Sequence, residues 1–239
     1  MLLLSLLCGA FAVGAFANDR VMSADARWKT IKTEHYLIHY PANPKGEFES
    51  FAREIASKIE GIHAKVAEWV GYEEKCPLNV VLSDPILEAN GMVAPLPKKP
   101  RVIFYKTSPE PDSEIGHFDN WVEDLVTHEL THVHHLLRPK NGKTIRRGLP
   151  GILLADARAL PILLDAPRVI EEGYATLIEG RITGSGRPHS AYRAAVIRQW
   201  ALQGMLPDYD AVSGSNAFKA KRGICAETTL IWTHSGSAE

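Results

Sequence analysis

Seventeen residues between Asn120 and Arg138 restrict the fold more than any other segment of the chain. In WVEDLVTHELTHVHHLL, Val122, Leu125, Val126, Leu130, Val133, Leu136 and Leu137 recur with a helical period. At about 100° per residue they fill an arc of roughly 40° to 180° measured from Trp121. Asn120 followed by Glu123 has the form of a capping box, and Pro139 stops the helix after Arg138. Glu129 projects at about 80°, inside the apolar arc, where an unpaired carboxylate is costly or must neutralise. Its position therefore demands a chemical reason.

That reason is in its neighbours, because the segment spells His128-Glu129-Leu130-Thr131-His132. Two imidazoles four residues apart stand on one helix face, about 6 Å apart along the axis. Both can reach one Zn²⁺ at about 2.0–2.1 Å, with Glu129 beside the metal to take a proton from water bound there. His135 shares the face but lies about 10.5 Å beyond His128 along the axis; it is expected behind the ligands or in solvent. His134 is expected on the opposite, polar side. A chance match on a purely structural helix would predict no bound metal.

Catalytic zinc usually takes three protein ligands. The best source of the third is Glu171-Glu172-Gly173-Tyr174-Ala175-Thr176-Leu177-Ile178-Glu179. Pro167 suits a first helical turn, and Val169, Ile170, Tyr174, Leu177 and Ile178 form an apolar face. Glu172, Ala175, Thr176 and Glu179 form the other face, mixing acids with small residues as expected where two helices close around an ion. Glu171, at the edge of the apolar face, is the weaker alternative.

The rest of the chain supplies a frame. WKTIKTEHYLIHY, residues 28–40, alternates apolar and polar residues and ends at Pro41, as strands with one buried face do; His35 and His39 are expected to face solvent. Phe48, Phe51, Ile55, Ile59, Ile62, Val66 and Trp69/Val70 predict a long amphipathic helix from Glu47 to Val70, stopped by Gly71. Two strands are expected over Leu78–Leu82 and Arg101–Tyr105. Between them Asn90-Gly91 and Pro95, Pro97 and Pro100 punctuate a connection suited to a sheet edge. The order of strands followed by helices implies an α+β fold, with a mixed sheet and long helix first and a mainly helical second half.

Composition matters at two points. Lys+Arg 27 against Asp+Glu 28, for a formal net charge of −1, gives no general attraction to phosphate backbones, so nucleic acid is not an expected partner. Residues 1–17, MLLLSLLCGAFAVGAFA, contain no charge and are too short for a membrane span of about 20 residues. They read as a signal peptide cleaved after Ala17, so the mature protein is expected to be exported, periplasmic or secreted, without a stable span. A lipoprotein reading of Cys8 is disfavoured by the bulk of Leu7. Cys76 and Cys225 then remain, and pairing and independence are equally open.

The two motifs, His128-Glu129-x-x-His132 and Glu172-Gly173-Tyr174-Ala175-Thr176-x-x-Glu179, together resemble the gluzincin metallopeptidases, the clan of thermolysin and aminopeptidase N. The resemblance implies a zincin-like fold with Zn²⁺ on His128, His132 and Glu172, Glu129 as general base, and Thr176 and Glu179 as supports behind the ligands. Trp28 to Pro41, Asn90-Gly91…Pro95 and Gly184-Ser185-Gly186-Arg187 resemble peptidase-like domains of exported bacterial proteins that precede a TolB-type β-propeller. On this basis residues 18–216 are a peptidase domain, with an α/β lobe over 18–118 and a helical, zinc-bearing lobe over 119–216. The run 217–239 departs from the family pattern, as a truncated or frame-shifted reading would.

Two further departures shape the expectation. Forty residues separate His132 from Glu172, so Arg138–Ala166 is an insertion, and Gly91-Met92-Val93 lacks the acid that holds a substrate amine in aminopeptidases. The implied function is a zinc-dependent peptidase acting on a peptide or protein, without aminopeptidase specificity. The Pro-rich connection before Arg101 would be the edge along which substrate lies. Tyr192, His189 and Tyr209 are candidate oxyanion donors. The alternative is a non-catalytic zinc-containing interaction module, with a β-propeller or envelope component as partner.

Overall fold

The computed structural model describes residues 27–42, 46–75, 77–84, 89–94, 100–110, 113, 115, 117–138 and 168–208. The leader, the insertion, the tail, Tyr209 and all three cysteines lie outside them. The fold is α+β, built on one five-stranded mixed sheet. Strand β1 (Trp28–Lys32) pairs antiparallel with β2 (Tyr36–Pro41). Helix α1 (Glu47–Val70) then crosses to β3 (Leu78–Ser83), parallel to β2. Strand β5 (Arg101–Tyr105) continues parallel to β3, and β4 (Gly91–Ala94) runs antiparallel to β5 at the edge, giving the order β1-β2-β3-β5-β4.

Period-two burial shows why these runs are strands. Tyr36, Ile38 and Tyr40 of β2 and Leu78, Val80 and Leu82 of β3 face the helices, while Leu37, His39, Asn79 and Val81 stand half-buried between them. Strand β4 was hidden in sequence, because the connection that contains it carries turn signals rather than a strand pattern. His39 lies on the half-buried face, held by Thr30 at 2.9 Å and Asn79 at 3.0 Å. His35 is not a solvent-facing strand residue: it precedes β2 and stacks on His63 of α1, with ring centroids 4.3 Å apart.

Helix α1 has the limits its periodicity predicts. Phe51, Ile55, Ile59, Ile62, Val66 and Val70 are buried, each contributing roughly 1.5–3 kcal/mol, so Ile59→Ala would cost about 2–5 kcal/mol. Gly71, at φ 67°, ends the helix in the left-handed conformation and donates its N–H to the Ala67 carbonyl. Helix α2 (Trp121–Leu137) is capped by Asn120, whose side chain accepts from the Glu123 N–H at 3.0 Å. It packs between α1 and α3 (Arg168–Thr183) and also touches β4 and β5. A 3-10 turn (Arg187–His189) and α4 (Ala191–Leu202) follow. Among the described residues, no helix is long and apolar enough to cross a membrane.

Candidate metal centre

The polar residues of α2 are buried on nearly every side of the helix. Thr127, Thr131 and His134 are fully buried, and Asp124, His128, Glu129 and His132 nearly so. An apolar stripe with a solvated back does not describe this helix, because α1, α3 and the segment after α1 enclose it. His134 therefore departs from its expected place on a polar outer face. Its Nδ1 accepts the Glu74 backbone N–H at 3.2 Å and its ring meets His63 edge-on. Burial holds it in its neutral form, lowering its pKa to about 3, and the nearby His63 adds to the effect. His135 is half-buried and packs on the Tyr174 ring at 4.9 Å.

His128, His132 and Glu172 converge. The two Nε2 atoms are 3.2 Å apart, and Glu172 Oε2 lies 3.4 Å from that of His128 and 3.6 Å from that of His132. A circle through points with those separations has a radius of about 2.0 Å, the length of Zn–N and Zn–O bonds of about 2.0–2.2 Å. In a tetrahedral site the ligand atoms stand about 3.3–3.4 Å apart, so the triangle has the size such an ion requires. The neighbouring Glu171 is not part of the cluster. Burial opposes ionisation of Glu172, but hydrogen bonds and charge from His128 and His132 outweigh it and hold the carboxyl well below its usual range. The donor set, two imidazoles and a carboxylate, suits a transition ion such as zinc better than Mg²⁺ or Ca²⁺.

Behind His128 stands a second group of charges. Glu179 Oε2 lies 3.0 Å from His128 Nδ1 and accepts from Arg187 Nη2 at 2.7 Å. Arg187 Nη2 is also 2.6 Å from His128 Nδ1. That nitrogen therefore has two alternatives: with a proton it donates to Glu179, and without one it accepts from Arg187. Only the first state of a neutral imidazole leaves the Nε2 lone pair facing the cluster. Burial works against ionised Glu179, but Arg187 and the His128 contact prevail, and its pKa falls to about 2. Asp124 extends the group, with both carboxylate oxygens 3.3 Å from Ser185 Oγ. Burial pushes Asp124 up to about 7, with Glu179 adding to the rise. Gly186 closes over these groups, since a Cβ there would meet Glu179 Oε1.

Glu129 occupies the interior of the same helix. Its Oε2 is buried without a hydrogen-bond partner, and burial raises its pKa against the opposing charges of His128 and His132. The β4 backbone lies directly over it: a Cβ on Gly91 would stand 2.6 Å from Glu129 Oε1. Thr176 is fully buried, and its hydroxyl has no hydrogen bond to the three clustered residues. His189 faces the Gly180 carbonyl at 3.2 Å, and the Tyr192 side chain is 71% exposed.

Arg187, Asp124 and Gly91 are the members of the site to which residue types assigned no role. The Gly184-Ser185-Gly186-Arg187 run was the available signal, two glycines permitting a sharp return of a cation to the acids of the preceding helix. Fold and site define an α+β protein with two histidines and a glutamate converging from two packed helices. No protein family, characterised protein or solved structure compared with the chain matches it.

Proposed function

We propose that this chain is a zincin-like, zinc-dependent peptidase of the gluzincin type, hydrolysing peptide bonds with Glu129 as general base. One observation carries the reading: the 3.2, 3.4 and 3.6 Å triangle of His128, His132 and Glu172 donor atoms, with Glu129, its Oε2 unpartnered, between the two histidines in sequence on their helix. His128, His132 and Glu172 would hold the ion. Bound there, Zn²⁺ supplies Lewis acidity towards water and towards a peptide carbonyl.

The chain's own residues supply the remainder. Glu129 accepts a proton at its Oε2, which has no hydrogen-bond partner. Glu179 fixes the His128 ring through Nδ1, and Arg187 keeps Glu179 charged. Strand β4 pairs only with β5 among the described strands, leaving its outer edge for an extended peptide to align by backbone hydrogen bonds. Export, with loss of residues 1–17, belongs to the same proposal and rests on the uncharged apolar leader.

Zinc content and cleavage of a mixed fluorogenic peptide library, measured for wild type and Glu129→Gln, test the proposal. One tightly held zinc in both proteins is expected, with cleavage falling by at least ~10²-fold in the variant. Unchanged cleavage would remove Glu129 as the base. Bound zinc without cleavage by wild type would favour the interaction-module reading.

A further inference from the structure

A second group of side chains able to ligate a metal lies near the C-terminal end of α1. His35 precedes β2, His63 is on α1, and Glu73 follows Gly71. Glu73 Oε1 is 3.5 Å from His63 Nε2 and 4.0 Å from His35 Nε2. His63 is 2% exposed, yet its Nε2 has no hydrogen-bond partner, and the Glu73 carboxylate lies 3.5 Å from it. Both imidazoles have their other nitrogen engaged. His35 Nδ1 lies 2.8 Å from Glu60 Oε2, and His63 Nδ1 lies 2.6 Å from the Tyr36 hydroxyl. Glu60 is itself anchored by the Thr33 hydroxyl at 2.5 Å and the His35 backbone N–H at 2.9 Å.

His35 Nδ1, facing the acceptor-only Glu60 carboxylate, carries the proton and presents Nε2 as a lone pair, and His63 does the same in the tautomer whose Nδ1–H donates to the Tyr36 oxygen; this arrangement orients histidine ligands towards metals. We infer that His35, His63 and Glu73 form a second site for a divalent transition ion of the zinc class, separate from the His128 cluster. This inference does not depend on the proposed peptidase activity. The fit is looser than at the first site. The Glu73–His63 separation is within about 0.2 Å of the tetrahedral edge of about 3.3–3.4 Å, whereas the Glu73–His35 separation exceeds it by about 0.6–0.7 Å. The His35 and His63 rings also lie within 13° of parallel, so His35 must turn for both lone pairs to converge. Glu73 is 44% exposed and His35 20%, which leaves both side chains room to move and opens the site to solvent.

Occupancy would have a structural consequence. Glu73 adjoins Glu74, whose backbone N–H is bonded to His134 on α2. An ion on Glu73 would clamp this segment between β2 and α1, bracing one side of the helix that carries the first site.

Untagged full-length protein titrated with zinc, followed by dialysis and elemental analysis, tests the assignment. Wild type is expected to bind two equivalents, one at least ~10-fold weaker than the other. Glu73→Ala and His35→Ala, both at partly exposed positions, should each retain the tight equivalent and lose the weak one. His128→Gln combined with His132→Gln should lose the tight one and keep the weak. Binding of one equivalent by wild type, or a weak equivalent unaffected by both Glu73→Ala and His35→Ala, would overturn the assignment. Loss of the first site alone leaves it standing.

Discussion

Gly91→Ala separates the role of Glu129 from the stability of the fold. Gly91 is not in the left-handed region, so its backbone accepts alanine without strain. The added Cβ would stand 2.6 Å from Glu129 Oε1, 2.7 Å from its Cγ and 2.8 Å from its Cδ. Ordinary contacts begin near 3.4 Å, so the carboxylate or the strand must withdraw by roughly 0.6–1 Å. Overpacking typically costs about 1–3 kcal/mol. The low end is expected here, because the obstructing atoms belong to the outer part of one side chain.

Catalysis should be less forgiving, since a misplacement of about 1 Å can cost on the order of 10²-fold in rate. The three atoms nearest the new methyl group all belong to Glu129 rather than to His128, His132 or Glu172, so zinc content should remain that of wild type. The assay pairs kcat/KM on the fluorogenic library with elemental analysis and thermal unfolding. The expected pattern is a ~10²-fold loss in kcat/KM, unchanged metal content and a small fall in Tm. Full activity with metal retained would refute the reasoning, showing that proton transfer does not depend on the carboxylate beneath Gly91.

Four other outcomes follow from the geometry. Glu179→Gln leaves an acceptor near His128 Nδ1 but removes its charge, so the zinc Kd should rise roughly 10- to 100-fold in chelator competition; unchanged affinity would refute its orienting role. Asp124, pushed by burial from 3.8 to about 7, loses stabilising influence as pH rises from about 4 to about 7, because the folded state then holds the extra proton. Asp124→Asn should therefore equal wild type near pH 4 and exceed it near pH 8 by about 2–4 kcal/mol, measured by urea unfolding in chelator; a gap independent of pH would contradict this. Gly61→Ala meets open space within helix α1 and should add about 0.5–1 kcal/mol, visible as a Tm rise of about 1–4 °C. Chelation of zinc present at ~100 times its Kd should remove about 2.7 kcal/mol and lower Tm by roughly 5–10 °C; an unchanged Tm would exclude a bound structural or catalytic ion.

Local pattern made much of this fold legible. The apolar residues of α1 repeat without ambiguity between Glu47 and a glycine stop, and Asn120 announces α2 with a side-chain cap that forms as its spacing implies. Strand β4 was not legible, because Gly91–Ala94 is defined by pairing to β5 rather than by its own alternation. The convergence of His128, His132 and Glu172 could be anticipated because two ligands share one helix turn and the third lies on a helix with an acidic, small-residue face. Arg187 was signalled only by the glycines that precede it. Its partner Glu179 is eight residues earlier, and only the turn through Gly184 and Gly186 returns the guanidinium to it.

The misplacement of His134 shows why the helix pattern alone was insufficient. A single-helix projection allows one apolar arc and assigns the remaining residues to water, but α2 is enclosed by elements contributed from across the described chain. Each buried polar residue on it then requires a partner from a different neighbour or from the helix itself. His134 takes a backbone N–H from the segment after α1, His128 takes the Glu179–Arg187 pair from α3 and the turn beyond, and Thr131 bonds back to the Thr127 carbonyl. Leaving any one of these groups buried and unmatched costs roughly 1–3 kcal/mol. Helix α2 is therefore satisfied only in part by its assembled neighbours: Trp121 Nε1, Thr127 Oγ1, His134 Nε2, His135 Nδ1 and Glu129 Oε2 retain no hydrogen-bond partner, and of these groups Glu129 alone is a carboxylate able to take up a proton.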